Sequence, residues 1–77
     1  MARLLCLGKL ADLAGGAERV VAAGPLDQVL AALEPDLALA LLDERVRTAL
    51  NGELVGERAL VLGEEDELAF LPPVSGG

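Results

Sequence analysis

Apolar positions along the chain alternate between runs of strand length and a stripe of helical spacing. Arg3 to Leu7 (RLLCL) is short and almost wholly apolar, which predicts a strand. Lys9 to Ala14 predicts a helical turn, stopped by Gly15-Gly16. Glu18 to Ala23 predicts a second strand, and the glycine pair lets it fold back on the first. Gly24-Pro25 then predicts the start of a helix, with glycine at the N-cap, proline at the first helical position and Asp27 near the positive end of the dipole. Leu26, Val29, Leu30 and Leu33 follow at i, i+3, i+4 and i+7, one apolar stripe that Pro35 ends. Residues 36–46 predict a shorter helix, capped by Asp36, with Leu37, Leu41 and Leu42 turned inward.

The remainder reads as strands. Asn51-Gly52 between the apolar runs of RTAL and ELV supplies the positive φ values of a type I′ turn, the strongest hairpin signal in the chain. RALVL (residues 58–62) predicts a brief edge segment, GEEDE an acidic turn, and Glu67 to Leu71 the last strand. Two strand-rich ends around one amphipathic helix predict an α+β architecture, the ubiquitin-like β-grasp. In that fold a mixed sheet carries the main helix across one face, and the first and last strands lie side by side and parallel in the middle.

A helix covers only one face of such a sheet, so the opposite face should be polar. Here it is not. Leu4 and Cys6 point one way and Leu5 and Leu7 the other, while Leu68 and Phe70 alternate with Ala69 and Leu71. The face away from the helix is therefore expected to meet a protein, with Leu7, Leu71, Leu54 and Phe70 as contact residues. Glu64 and Glu65 of the acidic turn are expected to make rim contacts with basic partner residues.

With 77 residues the chain makes one small domain, and Phe70 is its only aromatic, so the core must be built from Leu, Val and Ala. The net charge of −7, with Lys and Arg scattered singly, argues against nucleic acid, whose phosphates demand a basic stripe. Lys9 and Asp12 interrupt the apolar start before it reaches the length of a signal sequence, and no run approaches the ~20 apolar residues that span a bilayer. One cysteine forms no internal disulfide, and the expectation is a cytoplasmic protein without a membrane partner.

Side-chain chemistry is sparse. There is no histidine, no phosphate-binding loop and no metal cluster, and Cys6 among leucines reads as a buried small hydrophobe. The remaining reactive group is the C-terminal carboxyl, ionised at neutral pH and inert to acyl transfer until it is activated, for instance as an acyl-adenylate made from ATP by another enzyme. The end of the chain suits that role. Pro72-Pro73 stiffens the root of residues 74–77, and Gly76-Gly77 lacks the Cβ atoms that would obstruct a narrow channel. The expected organisation is a domain over residues 1–73 and a flexible tail over 74–77.

On an expected β-grasp, the ending DELAFLPPVSGG resembles the small-subunit family of molybdopterin synthase, ubiquitin-like sulfur carriers. The resemblance covers nearly the whole chain and is strongest from ALNGELV onward. The family pattern Phe-x-Pro-Pro-Val-(Ser/Thr)-Gly-Gly occupies Phe70 to Gly77 without a break. The resemblance implies that Gly77 is adenylated by a ubiquitin-activating-type enzyme and converted to a thiocarboxylate with sulfur from a donor enzyme. Val74, Ser75 and Gly76 would then carry it into the large synthase subunit, where sulfur passes to a cyclic pyranopterin. It also implies that the chain is no enzyme on its own and binds no cofactor, ATP being used by the activating enzyme. Two positions depart from the pattern: Glu65 stands where the acidic turn usually has glycine, and Ala11 where the first helical turn often has a basic residue.

Other readings compete. Carriers for thiamine thiazole formation or tRNA thiolation also end in Gly-Gly, but the Pro-Pro-Val-Ser approach favours molybdopterin. A modifier joined to lysines shares fold and tail, and an interaction module with an inert tail would show no ATP-dependent adenylation.

Overall fold

The computed structural model describes residues 1–56 and 60–73. Among the described residues, seven strands and three helices follow one another as β1 (Ala2–Cys6), α1 (Lys9–Ala14), β2 (Glu18–Val21), β3 (Gly24–Pro25), α2 (Leu26–Ala31), α3 (Pro35–Leu41), β4 (Arg47–Leu50), β5 (Glu53–Val55), β6 (Val61–Leu62) and β7 (Glu67–Leu71). Five strands form a mixed sheet in the order β2-β1-β7-β4-β5, and β3 pairs with β6 in a separate two-stranded ribbon. The first and last strands are parallel neighbours at the centre, Leu4 opposite Leu68 and Cys6 opposite Phe70. The architecture is the ubiquitin-like β-grasp.

Strand alternation sorts side chains onto two faces. The inner face carries Leu4, Cys6, Leu68 and Phe70, all essentially removed from solvent, and the helices lie against it through Leu10, Ala14, Leu26, Val29, Leu30, Leu37 and Leu41. Burying each leucine in such a core contributes about 1.5–3 kcal/mol. Cys6 belongs to this layer, and burial pushes its thiol above the ordinary range, as befits a packing residue. No described helix is long and apolar enough to cross a membrane.

Three local expectations are corrected. Gly24 and Pro25 do not begin the helix: they pair with Leu62 and Val61, and the Leu26 amide donates to the Leu60 carbonyl at 2.8 Å. Pro25 keeps extended angles (φ −58°, ψ 139°) at the N-cap, so the helix starts one residue later. Secondly, the main helix stops at Ala31, well before Pro35. That proline is the first residue of α3, and it holds Glu34, the α3 N-cap, at φ −58° and ψ 139°. Leu33, between the helices, is still buried. Thirdly, Leu42 falls past the end of α3 and is 48% exposed, whereas Leu37 and Leu41 point inward as expected. Of the edge segment expected at residues 58–62, residues 58 and 59 lie outside the described residues, and Val61–Leu62 pairs with β3 instead of extending the main sheet.

The hairpin forms as its sequence demands. Leu50 pairs with Glu53, and Asn51 (φ 49°) and Gly52 (φ 89°) supply the two positive φ values of the connection. Arg19, at the sheet edge, donates to the Ala14 carbonyl at 2.9 Å and to both carboxylate oxygens of Glu34 at 3.2 Å. It thereby fastens the end of α1 to the α2–α3 junction.

A candidate docking face and tail root

The sheet face away from the helices is the candidate site. Register places its side chains in rows. Leu54, Ala49, Ala69 and Leu5 form one row across β5, β4, β7 and β1. The next row holds Arg47 and Leu71, with Leu7 one position beyond Cys6, whose partner Phe70 precedes Leu71. The Leu7 amide donates to the Phe70 carbonyl at 3.3 Å, which continues the parallel pairing past the end of β1. Leu7 is 41% and Leu54 70% exposed, while Leu5, Ala49, Ala69 and Leu71 are half-buried side by side. The result is an apolar strip that no element among the described residues covers.

Charged side chains border the strip on the β2 side and beyond Leu5. Arg3 lies between Glu18 and Glu67, at 3.4 and 3.2 Å. Such exposed pairs contribute little to stability, a median of about 0–1 kcal/mol.

The expected site residues divide accordingly. Leu7, Leu71 and Leu54 share the outer face. Phe70 does not: it is 1% exposed, its ring belongs to the helix-facing layer, and it offers no surface to a partner across the outer face. The alternation that turns Leu71 outward necessarily turns Phe70 inward. Glu64 and Glu65 stand beyond the opposite end of β7 from Leu71, the four residue steps of the strand alone spanning roughly 13 Å. Glu64 pairs with the amino group of Met1. Glu65 is exposed and takes the left-handed conformation (φ 70°) that the resemblance assigns to glycine, so the turn keeps its shape and Glu65 carries the strain.

Sequence reading missed a network that fixes this end of the sheet. Asn51 donates its amide to the Glu67 carbonyl at 2.8 Å and accepts from the Glu67 amide at 3.0 Å through its side-chain oxygen. Its side-chain nitrogen donates to Asp66 at 3.2 Å, and the other Asp66 oxygen accepts from the Gly63 amide at 2.8 Å. Hydrogen bonds first from Gly63 and then from Asn51 hold the Asp66 carboxyl below its ordinary range.

The tail begins beside Leu7 and Leu71. Pro72 is half-buried and Pro73 exposed. Val74, Ser75, Gly76 and Gly77 lie outside the described residues. A separate cavity of about 630 Å³ opens on the helix side, lined in part by Leu26, Leu30, Leu41, Val46 and Phe70, with no cysteine or histidine in its wall. What the outer face can do is hold a partner close to Pro72 and Pro73.

A profile described as the ThiS family matches residues 4–77. No curated protein matches the sequence significantly. Among solved structures, the small archaeal modifier protein 1 of Methanosarcina acetivorans superposes with a TM-score of 0.79 at 24% identity, over 99% of this chain and 95% of that one. Its counterpart from Haloferax volcanii gives 0.72 at 25%, over 99% and 98%. A chain in the complex of subunits 1 and 2 of molybdopterin-converting factor from Helicobacter pylori 26695 gives 0.69 at 24%, over 99% and 97%.

Proposed function

The chain belongs to the ThiS family of ubiquitin-like sulfur carriers, and on that premise we propose that it is the sulfur-donating subunit of a molybdopterin synthase. The observation that carries this reading is the joining of two features. An uncovered apolar strip of Leu5, Leu7, Leu54 and Leu71 stands directly beside the Pro72-Pro73 root of an ending that reads Val-Ser-Gly-Gly. Docking on the strip brings the C-terminal residues to a partner's active site without any catalytic side chain on this chain. The Helicobacter neighbour, solved as a complex of two subunits, supports a larger partner of that kind.

The chemistry resides in the Gly77 carboxylate. Its oxygen attacks the α-phosphate of ATP on an adenylating enzyme, and pyrophosphate leaves. A sulfide-level sulfur from a donor then displaces AMP and leaves a thiocarboxylate. Seated in the large subunit, that thiocarboxylate bonds through its sulfur to a cyclic pyranopterin, and water then cleaves the acyl–sulfur bond, leaving the sulfur on the pterin and restoring the Gly77 carboxylate. The resting carboxylate is a poor acyl donor, which is why adenylation must come first.

A second reading has its own observation: the two archaeal modifier proteins superpose at TM-scores of 0.79 and 0.72. As a modifier, the chain would pass the acyl group of the same adenylate to lysine amines, forming an isopeptide bond as AMP leaves. Isolation from its own cells separates the two. Intact mass showing sulfur in place of one carboxylate oxygen, together with co-purification of a large synthase subunit, supports the proposal. Isopeptide-linked conjugates with no thiocarboxylate species overturn it in favour of the modifier.

A further inference from the structure

Gly8 lies in the turn between β1 and α1, far in sequence from the tail yet against its root. Its backbone (φ 56°, ψ −130°) matches the first central position of a type II′ turn. That turn is closed by the Leu10 amide donating to the Leu7 carbonyl at 3.1 Å. A Cβ built on Gly8 would stand 3.1 Å from Cγ of Pro72, closer than an ordinary contact between carbons of about 3.5–4.0 Å. The absent side chain is thus the space into which the Pro72 ring settles. Leu7, the preceding residue, fixes the same stretch by donating to Phe70.

We infer that Gly8 is a positioning residue: by admitting the Pro72 ring, it sets the direction in which Pro72 and Pro73 leave β7. Two consecutive prolines make that direction persistent, because each fixes its own φ near −65°. This role rests on the sulfur-carrier reading for its purpose, though the contact itself does not.

The test couples two sites. A nitroxide is placed on a Gly77→Cys chain; Cys6, fully buried, is not labelled. Paramagnetic broadening of backbone amides is then mapped for this parent and for Gly8→Ala, Pro72→Ala and the double variant. Pro72→Ala removes the Cγ atom that a Cβ at position 8 would meet, but leaves the backbone strain of alanine at position 8 unrelieved. The expected result is a displaced map in Gly8→Ala, an altered map in Pro72→Ala, and a double variant that differs from the sum of the two. A folded Gly8→Ala with the parent's map, or strict additivity, overturns the inference. If strain unfolds Gly8→Ala, Pro72→Ala decides alone, and an unchanged map there overturns it.

Kinetics with unlabelled chains test the purpose, using the adenylating enzyme that co-purifies with the parent and ATP–pyrophosphate exchange. Gly8→Ala should lower kcat by about 10- to 100-fold, the scale expected for misplacement of up to ~1 Å, with KM for the chain nearly unchanged. A loss confined to KM assigns Gly8 to docking and overturns the positioning role. If the parent supports no exchange, the sulfur-carrier reading fails, whereas the label map still decides the Gly8–Pro72 contact.

Discussion

Asn51 and Asp66 are joined side chain to side chain at 3.2 Å, so the tip of the β4–β5 hairpin is fastened to the turn that starts β7. The Asp66 carbonyl in turn accepts from the Arg3 amide at 2.9 Å. One aspartate therefore links the hairpin, the first strand and the Gly63 turn.

The sign of its pH dependence follows from the lowered carboxyl. A group whose folded pKa is depressed contributes stability that is fully present above the unfolded value, near 3.9, and is lost as pH falls through the folded value. Asp66→Ala should lower the thermal midpoint at pH 7, and the gap from wild type should narrow as the medium is acidified below the ordinary Asp range. A gap independent of pH would show that the carboxylate charge is immaterial to the link.

The two faces of the main sheet should separate cleanly on mutation. Leu71→Asp and Leu54→Asp should abolish binding of a large synthase subunit measured by calorimetry, since each buried apolar contact at such a centre contributes about 1.5–3 kcal/mol. Leu54, mostly exposed, should cost the isolated domain no more than about 0.5 kcal/mol. Phe70→Ala should instead lower stability by about 3–5 kcal/mol in urea unfolding, because it empties the helix-facing layer. A Leu71→Asp domain that unfolds would reverse the assignment of faces.

Glu65 offers a stabilising change. Its left-handed conformation costs about 1–2 kcal/mol, and glycine removes that strain at an entropic cost of about 0.5–1 kcal/mol. Glu65→Gly should therefore raise stability by several tenths to about 1 kcal/mol, read as a higher urea midpoint at constant m-value. A lower midpoint would mean that the carboxylate makes a compensating interaction.

Deleting Gly77 should eliminate sulfur transfer while the melting curve stays put. The new terminus would present its carboxyl one residue short, up to ~3.6 Å from where it is needed. Gly76→Ala should slow activation and leave partner affinity intact, because a Cβ restricts the backbone next to the reacting carboxyl. Intact mass after incubation with the adenylating enzyme, ATP and a sulfur donor reads both. Wild-type thiolation of the Gly77 deletion would end the carrier reading.

Legibility in the sequence followed how local each determinant is. The bounds of β7 were readable because Leu68 and Phe70 alternate between an acidic turn and a double proline, and the hairpin because Asn51-Gly52 admits few other conformations. The β3–β6 ribbon was not, since two residues gain strand geometry only from partners some 37 positions away. Phe70 was misplaced among the contact residues because both faces of its strand are apolar, and only the docking of the helices decides which one is inside. Gly8 gave no signal at all: one glycine between Leu7 and Lys9 says nothing of a proline that reaches it through the fold.

The parallel pairing of Arg3 with Glu67 through to Cys6 with Phe70 also bears on biogenesis. Contacts of such long range close late, after the chain between them has been made, and they are the slow step in folding a small sheet. At roughly 5–20 residues per second of synthesis, β1 waits several seconds with its central edge unpaired. Only the arrival of β7 fills that edge, and β7 is the strand that leads straight into Pro72. A nascent product broken off before Glu67 therefore lacks the middle of its sheet and stays open to proteases. Completion of the sheet thus selects for chains that have been made as far as β7, the strand from which the terminal residues continue.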